Sequence, residues 1–377
     1  MQSSQSMIPR ALLAIAIAFG VQVARAANIV VGQVAPLSGM EATQGRAYAE
    51  GMKLVFNQVN KAGGAGGNTF TLVTKDDGGV PAATVSATAS LLGESKPLVL
   101  AGYIGNKNIT DLIASGVLQK EKIPLVGYRS WEILPDTPML YAVSAGVREQ
   151  VEKIALHLST IGITKLALLY EDGPSAPGLV AATREAAKKA NAQLIAQVSY
   201  PAGTTKVSAA VDAFQKASPQ AIIVLASGSA AAAFIEQYRT MGGAAQIFAH
   251  TGADVEQMSK RLSEEHLKGV AIAQVTPNPY NISSRLAKEL NELAAKSGNP
   301  GANVSYAMME GFIAAKVIVE AVRRQGHAPT REGTVAALDA MASYDAGGYV
   351  VGFKPNMHTG SHYVELTIVS SAGRIRQ

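Results

Sequence analysis

The chain has 377 residues, of which 48% are hydrophobic and 16% are charged, a composition that excludes an intrinsically disordered protein. It contains no cysteine, which excludes a disulfide scaffold, thiolate metal sites and a cysteine nucleophile. The formal net charge of +5 indicates a polyanionic partner only if the basic residues are clustered.

The first 26 residues have the pattern of a secretory signal peptide. A polar stretch with one arginine precedes an apolar run at residues 11–23, and Ala24-Arg25-Ala26 forms a small-residue cleavage site. The apolar run is shorter than the ~20 residues that a membrane-spanning helix needs. We therefore expect cleavage after Ala26 and a mature protein in the periplasm, without a cysteine at the cleavage site to carry a lipid anchor.

The charge of the remaining chain is small and scattered. Residues 1–26 hold two arginines and no acid, so their removal leaves 351 residues with a net charge of +3. No run of five or more basic residues is present. The pair Lys188-Lys189 lies on a predicted helix, where a solvated face is the simpler interpretation. We therefore expect no nucleic-acid partner.

From residue 28 onward, short apolar β-rich runs alternate with amphipathic helical segments. The first series predicts strands at 29–35, 70–75, 98–101 and 125–127, with helices at 43–61, 82–92 and 109–119. The second series predicts strands at 166–170, 194–198, 221–226 and 247–249, with helices at 148–161, 179–191, 208–217, 230–241 and 254–261. Repeated units of this kind predict an α/β fold with parallel sheets covered by helices on both faces.

The number of β–α units is too large for one open sheet and predicts two lobes. A new series starts near residues 141–148. Three helices at 283–296, 305–324 and 332–341 then follow one another before late strands at 349–353 and 363–369. The successive helices indicate a return to the first lobe. We predict a first lobe of residues 27–145 and 277–347, and a second lobe of residues 146–276 and 348–377.

The usual motifs of catalytic and cofactor sites are missing from the sequence. The glycines at 63–67 have the wrong spacing for a dinucleotide or phosphate loop. Ser175 misses the spacing of a nucleophile elbow by one residue. The six histidines are scattered, and His358 and His362 flank Gly360 in a turn-rich segment, which favours a loop over a metal site. We therefore expect no catalytic residue, no metal and no cofactor.

Six loops at predicted strand ends carry small, polar or aromatic residues, and open α/β sheets bind ligands at the carboxyl ends of their strands. The loops lie at 36–39, 103–106, 128–131, 171–173, 227–229 and 250–252. Each loop alone also fits an ordinary turn. As a set they predict one cleft, where helix N-termini present N–H groups to an anion. Tyr103, Gly105, Ser227 and Thr251 are candidate ligand contacts from these loops.

With these features the chain resembles the leucine/isoleucine/valine-type periplasmic binding proteins of ABC importers over residues 29–369. The matching positions lie in the first β–α–β unit and at the start of the long late helix: Pro36-Leu37-Ser38-Gly39, Gly45, Gly51, Asn60, Gly63-Gly64, Asp76-Asp77 and Tyr306-Ala307. The resemblance implies two Rossmann-like lobes with parallel sheets, joined by crossover strands, that close on a small ligand as a Venus flytrap.

The resemblance also implies which first-lobe residues meet the ligand. The family holds the ligand carboxylate at positions that match Asn106, the backbone of Tyr128, and Ser130. An asparagine NH₂ donates to an anion as a hydroxyl does, so the change at Asn106 is compatible with this role. The carboxylate contacts of the family are therefore kept.

The ammonium half of the family site is altered. Gln44 and Ser175 stand where the amino-acid-binding members carry aromatic residues. The acid that pairs with a ligand ammonium falls near Gly252, and Asp254 is the nearest carboxylate. The sequence therefore leaves open whether the ligand carries an amino group.

Arg129 and Trp131 lead to a separate hypothesis. A guanidinium holds a carboxylate through two parallel hydrogen bonds, and the only tryptophan lies two residues away. The hypothesis is a ligand whose carboxylate binds Arg129 and whose apolar or aromatic body packs on Trp131, Tyr103 or Tyr128. In the alternative, Arg129 faces solvent and Trp131 packs against the following loop, because successive residues of an extended segment point to opposite sides.

The sequence as a whole favours a non-catalytic, monomeric receptor in the periplasm. We expect it to bind an amino acid or a related aromatic or aliphatic acid and to deliver it to the membrane permease of an ABC transporter. A soluble ligand-sensing regulatory protein of the same fold and a secreted α/β enzyme are the alternatives.

Overall fold

The structure is a computed structural model that describes residues 27–132, 134, 137–174, 176–298 and 304–369, and the backbone of 375–376. The predicted signal peptide and Ser175 lie outside these residues. Among the residues described, no helix is long and apolar enough to cross a membrane.

The first lobe is built on a parallel sheet with the strand order β2-β1-β3-β4-β5. Its strands are β1 (Asn28–Ala35), β2 (Thr69–Asp76), β3 (Val99–Ile104), β4 (Leu125–Arg129) and β5 (Leu140–Tyr141). Its helices are α1 (Ala42–Lys61), α2 (Pro81–Ser95), α3 (Asn106–Ala114) and α4 (Val117–Lys120). Helices on both faces bury the strands, which explains their continuous apolar runs.

The second lobe has a sheet with the order β14-β13-β10-β9-β8-β6-β7, in which only β13 and β14 run antiparallel to their neighbours. Its strands are β6 (Lys165–Glu171), β7 (Gln193–Tyr200), β8 (Ala221–Leu225), β9 (Gln246–His250), β10 (Ala271–Gln274), β13 (Glu365–Val369) and β14 (Ile375–Arg376). Its helices are α5 (Val147–Thr160), α6 (Ala176–Lys189), α7 (Ser208–Ala217), α8 (Gly228–Thr240), α9 (Val255–Arg261) and α10 (Glu264–Leu267). A 3-10 turn, Thr251–Ala253, follows β9.

Three late helices return to the first lobe, as the sequence predicts. They are α11 (Arg285–Lys296), α12 (Tyr306–Gln325) and α13 (Arg331–Asp339), and the short antiparallel pair β11 (Tyr344–Asp345) and β12 (Val350–Val351) follows. Helix α12 crosses α1 closely at two glycines. A methyl group at Gly51 would collide with the carbonyl of Met308, and one at Gly311 would collide with that of Tyr48.

The predicted α/β fold with two parallel-sheet lobes is confirmed. The lobe boundaries stay a prediction. Tyr349, Val351 and Phe353 pack in the same core as α1 and α12, so this core extends beyond residue 347. The short strand β5 was not predicted, because two residues carry no periodic signal.

One tyrosine joins two of the segments that pass between the lobes. The hydroxyl of Tyr349 lies 3.1 Å from the carbonyl of Val143, after β5, and 3.0 Å from the carbonyl of Val275, after β10. All three residues are buried. The single phenolic proton of Tyr349 therefore serves both connections.

Candidate functional site

The cleft lies where the carboxyl end of β4 faces the turn after β9. Residues 129–132 of the first lobe meet residues 250–254 of the second lobe along this line, and the start of α1 contributes Glu41 and Gln44. The site is thus formed at strand carboxyl ends, as expected for open parallel sheets.

Asn106 and Ser130 come together at the first turn of α3. The Oδ1 of Asn106 accepts hydrogen bonds from the backbone N–H of Trp131 at 2.9 Å and from the Ser130 hydroxyl at 3.1 Å. A backbone N–H is only a donor, so these contacts fix the amide orientation. The Nδ2 of Asn106 is buried and has no hydrogen-bond partner among the described residues. It is a donor held at a helix N-terminus, where negative charge is favoured.

Arg129 ends β4 and has only 4% of its surface exposed, so the alternative in which it faces solvent is wrong. Its Nη1 donates to Oε1 of Gln44, and its Nη2 donates to the backbone carbonyl of Thr251 in the second lobe at 3.1 Å. Its Nε lies 3.2 Å from Oε1 of Glu310 on α12. The N–H is not aligned on that oxygen, so charge attraction holds this pair without a hydrogen bond.

Trp131 crosses from the first lobe into the second. Its side chain is 6% exposed and belongs to the apolar core that covers one face of the second sheet. Its ring centre lies 5.0 Å from that of His250, and a methyl group at Gly252 would lie 2.9 Å from its Cε3. Trp131 therefore packs between the lobes.

His250 is held as a neutral imidazole. Its Nε2 lies 2.8 Å from the carbonyl of Ala226 and must donate, while its Nδ1 accepts from the backbone N–H of Gly252 at 3.1 Å. Burial lowers the pKa of His250 to about 4. Both contacts are satisfied together only by the tautomer with the proton on Nε2.

Several side chains at the rim of the cleft also join the lobes. Glu41 accepts from the backbone N–H of Ser229 at 3.4 Å and from Nε2 of Gln44 at 2.8 Å. The Nε2 of Gln257 donates to the carbonyl of Met40 at 2.9 Å, and this contact fixes the amide orientation. The buried Oε1 of Gln257 then has no donor among the described residues.

Four carboxyls surround the Arg129 guanidinium, those of Glu41, Asp254, Glu256 and Glu310. Burial raises the pKa of Glu310, and Arg129 opposes this. Burial also raises the pKa of Glu41. Burial, with the neighbouring Asp254, raises the pKa of Glu256 to about 8. Glu256 is therefore mainly protonated at pH 7, and Glu41, Asp254 and Glu310 are the carboxyls near Arg129 that can carry charge.

The second-lobe candidates lie at the ends of helices. Asp254 caps α9 by accepting from the N–H of Gln257 at 3.0 Å, and its φ of +53° is a strained value for a residue other than glycine. Ser227 caps α8. Thr251 donates its hydroxyl to Oε1 of Gln274 at 2.9 Å and gives its carbonyl to Arg129. Asp254 and Thr251 thus come to the cleft, whereas Ser227 has a capping role.

Three first-lobe candidates have structural positions. Tyr103 is fully buried with its hydroxyl 3.0 Å from that of Thr88, and its role as a ligand contact stays a prediction. It points to the α2 side of the sheet because side chains alternate along β3. The Tyr128 side chain packs against the same core. Gly105 has a φ of +113° and precedes α3 as its N-cap residue, and a methyl group there would collide with the Asn108 side chain.

Sequence reasoning missed Glu41, Gln257 and Glu310 as site residues, and it placed His250 in a candidate loop without naming it as a contact. The signal for Glu310 was present, since it is the only charged residue in the buried stretch 306–315 of α12, and a buried charge requires a partner. Glu41 precedes α1 as its N-cap residue and Gln257 lies on the short helix α9, and neither position gives such a signal. Within the described residues, no group of three or more His, Asp or Glu side chains is placed to hold a metal ion.

A model of the periplasmic binding protein family matches residues 28–374 of the chain. The Leu/Ile/Val-binding protein homolog 8 of Brucella abortus (strain 2308) is 23% identical over 367 residues, which cover 92% of this chain and 89% of the relative. A substrate-binding periplasmic protein from Ralstonia solanacearum is 34% identical, with a TM-score of 0.87 over 92% of this chain and 99% of its own.

Two more distant structures share the fold. The branched chain amino acid ABC transporter protein from Thermus thermophilus, solved with bound valine, is 17% identical with a TM-score of 0.81 and coverages of 93% and 95%. The fatty acid ABC transporter substrate-binding protein from Thermomonospora curvata is 19% identical with a TM-score of 0.80 and coverages of 92% and 89%.

Proposed function

Because this chain belongs to the periplasmic binding protein family, we propose that it is the non-catalytic solute receptor of an ABC importer. It holds a small carboxylate-bearing ligand between its lobes and delivers it to a membrane permease. The observation that carries this proposal is the Nδ2 donor of Asn106, which lies beside Ser130 and has no hydrogen-bond partner in the part of the chain that the structure describes.

The carboxylate is the group for which the first-lobe half of the cleft is suited. The amide of Asn106 is fixed by the backbone of Trp131, so its two Nδ2 hydrogens point away from that contact. The first turn of α3 adds the positive end of the helix dipole. A carboxylate is also what valine and fatty acids have in common, and proteins named for these ligands share this fold.

The acidic half of the cleft supports a ligand that also carries an ammonium group. Glu41 of the first lobe and Asp254 of the second interact unfavourably when both are charged. Asp254 keeps a strained backbone conformation at this position, and strain of this kind clusters at functional sites. An ammonium group between the two carboxyls relieves their repulsion. We therefore propose an amino acid, with its carboxylate at Asn106 and Ser130.

The test is a binding panel of leucine, isocaproate (which lacks the amino group) and leucinamide (which lacks the carboxylate). A ligand at a hundredfold excess over its Kd stabilises the fold by about 2.7 kcal/mol, which a thermal shift detects and calorimetry quantifies. We expect leucine to bind best and leucinamide to lose most affinity. If no small acid stabilises the protein, the proposed carboxylate site is wrong.

Two nearly isosteric variants separate the halves of the site. Asn106→Asp keeps the acceptor for Trp131 but replaces the donor by negative charge, so leucine and isocaproate should both bind at least tenfold more weakly. Asp254→Asn keeps the cap of α9 and should weaken leucine but not isocaproate. Asn57→Asp, on the exposed face of α1, makes the same chemical change away from the cleft. Equal affinities of Asn106→Asp and Asn57→Asp would contradict the assignment.

We further propose that the protein is exported to the periplasm, cleaved after Ala26, and active as a monomer. The intact mass of the exported protein tests the cleavage site, and light scattering tests the oligomeric state. Uptake of the bound ligand by cells that lack this receptor tests delivery to a permease, because a sensing protein would leave uptake unchanged.

A further inference from the structure

The end of β4 and the residues after it contact the turn after β9 at two points. Arg129 donates to the backbone carbonyl of Thr251 at 3.1 Å. Two residues later, Trp131 packs on His250 and inserts into the core of the second lobe. Both residues come from the first lobe. Arg129 contacts the backbone of the second lobe, and Trp131 contacts its apolar core.

The guanidinium of Arg129 is held in place from the first lobe. Glu310 on α12 neutralises its charge at 3.2 Å from Nε, and Gln44 on α1 accepts from Nη1. The Nη2 group is the one that reaches across to Thr251. Gln44 also reaches the second lobe itself, because its Nε2 lies 3.5 Å from the carbonyl of Gly252. The planar guanidinium of Arg129 thus connects α1 and α12 of the first lobe to the turn after β9 in the second lobe.

We infer that Arg129 is a positioning residue that latches the closed lobes together and does not bind the ligand carboxylate. The inference rests on the proposed function, in which the lobes close on a ligand, and it replaces the hypothesis of a carboxylate on Arg129. The anchoring by Glu310 and Gln44 commits the guanidinium to contacts within the protein. The carboxylate then belongs to Asn106, whose Nδ2 has no hydrogen-bond partner among the described residues.

A latch and a ligand contact have different consequences for binding. A bond between the lobes stabilises the closed form whatever the ligand, so its removal lowers the affinity for every ligand by the same factor. Removal of a carboxylate contact lowers the affinity only for ligands that carry a carboxylate. The latch also acts on the protein without ligand, where a carboxylate contact has no effect.

The experiment measures the distance between the lobes with two spin labels. The chain has no cysteine, so Lys107→Cys at the start of α3 and Lys206→Cys before α7 create the only labelling sites. Both lysines are exposed, and both lie at the cleft edge of their sheets. The variant is Arg129→Met combined with Glu310→Gln, which removes the carboxylate closest to the lost guanidinium. Arg184→Met on the exposed side of α6 is the control.

Without ligand, the double variant should lose most of the short-distance population that the control retains. The affinities for leucine and leucinamide should fall by the same factor, about tenfold or more. Gly252→Ala, whose added methyl group would collide with His250 and crowd Trp131, should also shift the distances outward. Unchanged distances in the double variant, or a loss confined to leucine, would overturn the latch. The distance measurement needs no ligand, so it stands even if no acid binds and the proposed function fails.

Discussion

The buried pair of Arg129 and Glu310 allows a quantitative prediction of stability. Among the described residues, Arg129 alone places a guanidinium in contact with Glu310, and Arg129→Met removes it; the surface of Glu310 is 2% exposed. The carboxyl must then either stay charged without a partner or take up a proton. Protonation is the cheaper course, because a buried unpaired carboxylate costs several kcal/mol.

The cost of protonation depends on pH in a defined way. The ordinary pKa of glutamate is 4.5, so holding the protonated form costs about 3.4 kcal/mol at pH 7 and about 0.7 kcal/mol at pH 5. A folded-state pKa raised above its unfolded value means that stability falls as pH rises from 4.5. Burial raises the pKa of Glu310 in the wild type as well, so part of this pH dependence is already present there. The penalty of Arg129→Met should therefore be larger at pH 7 than at pH 5 by at most about 2.7 kcal/mol.

The assay is urea denaturation followed by far-UV circular dichroism at both pH values. The double variant Arg129→Met/Glu310→Gln should show a smaller penalty without this extra pH dependence, because no ionisable group is left in the pair. An equal penalty for Arg129→Met at pH 5 and pH 7 would refute the reasoning. A pH dependence that persists in the double variant would assign it to the other carboxyls near Arg129.

Three further predictions follow from single residues. His250 should be the neutral Nε2–H tautomer at pH 7 in nitrogen NMR spectra. It should take up a second proton only near its pKa of about 4, and a titration near pH 6.5 would contradict the burial argument. The pKa of Glu256 is raised to about 8, so between pH 4.5 and pH 8 the folded state binds a proton that the unfolded state has lost. The free energy of unfolding should therefore fall as the pH rises through this range. Glu256→Gln should make this pH dependence smaller in denaturation experiments. Tyr349→Phe leaves two buried carbonyls without their donor and should lower the free energy of unfolding by about 1–3 kcal/mol, whereas a neutral result would show that water replaces the hydroxyl.

The fold was predictable because it depends on local patterns repeated along the chain. The buried strands of parallel sheets read as apolar runs, and the helices between them keep an apolar face, so even the returning helix α12 was placed within one residue at each end. The exact point at which the chain leaves one core for the other was not predictable, because Tyr349 and Phe353 look the same in either core.

The site was predictable only in part. Asn106 and Ser130 follow different strands, and the rule that parallel strands end at one edge was enough to bring them together. The same rule placed Tyr103 beside them, but it does not say to which side of the sheet a side chain points. The partner of Arg129 was beyond reach, since Glu310 lies 181 residues later and only the packing of α12 on the sheet joins them.

The hydroxyl of Tyr349 limits how the two lobes can move relative to each other. It lies about 3 Å from carbonyls on two of the connecting segments. A rotation of the second lobe about a line through this oxygen leaves both distances almost unchanged. Pulling the lobes straight apart lengthens the distance to Val275, because Tyr349 and Val143 pack in the same core. The displacement of any pair of facing residues then grows with its distance from Tyr349. Tyr349 therefore lies close to the rotation axis between the lobes. A small rotation about this axis produces a wide opening at the far rim of the cleft.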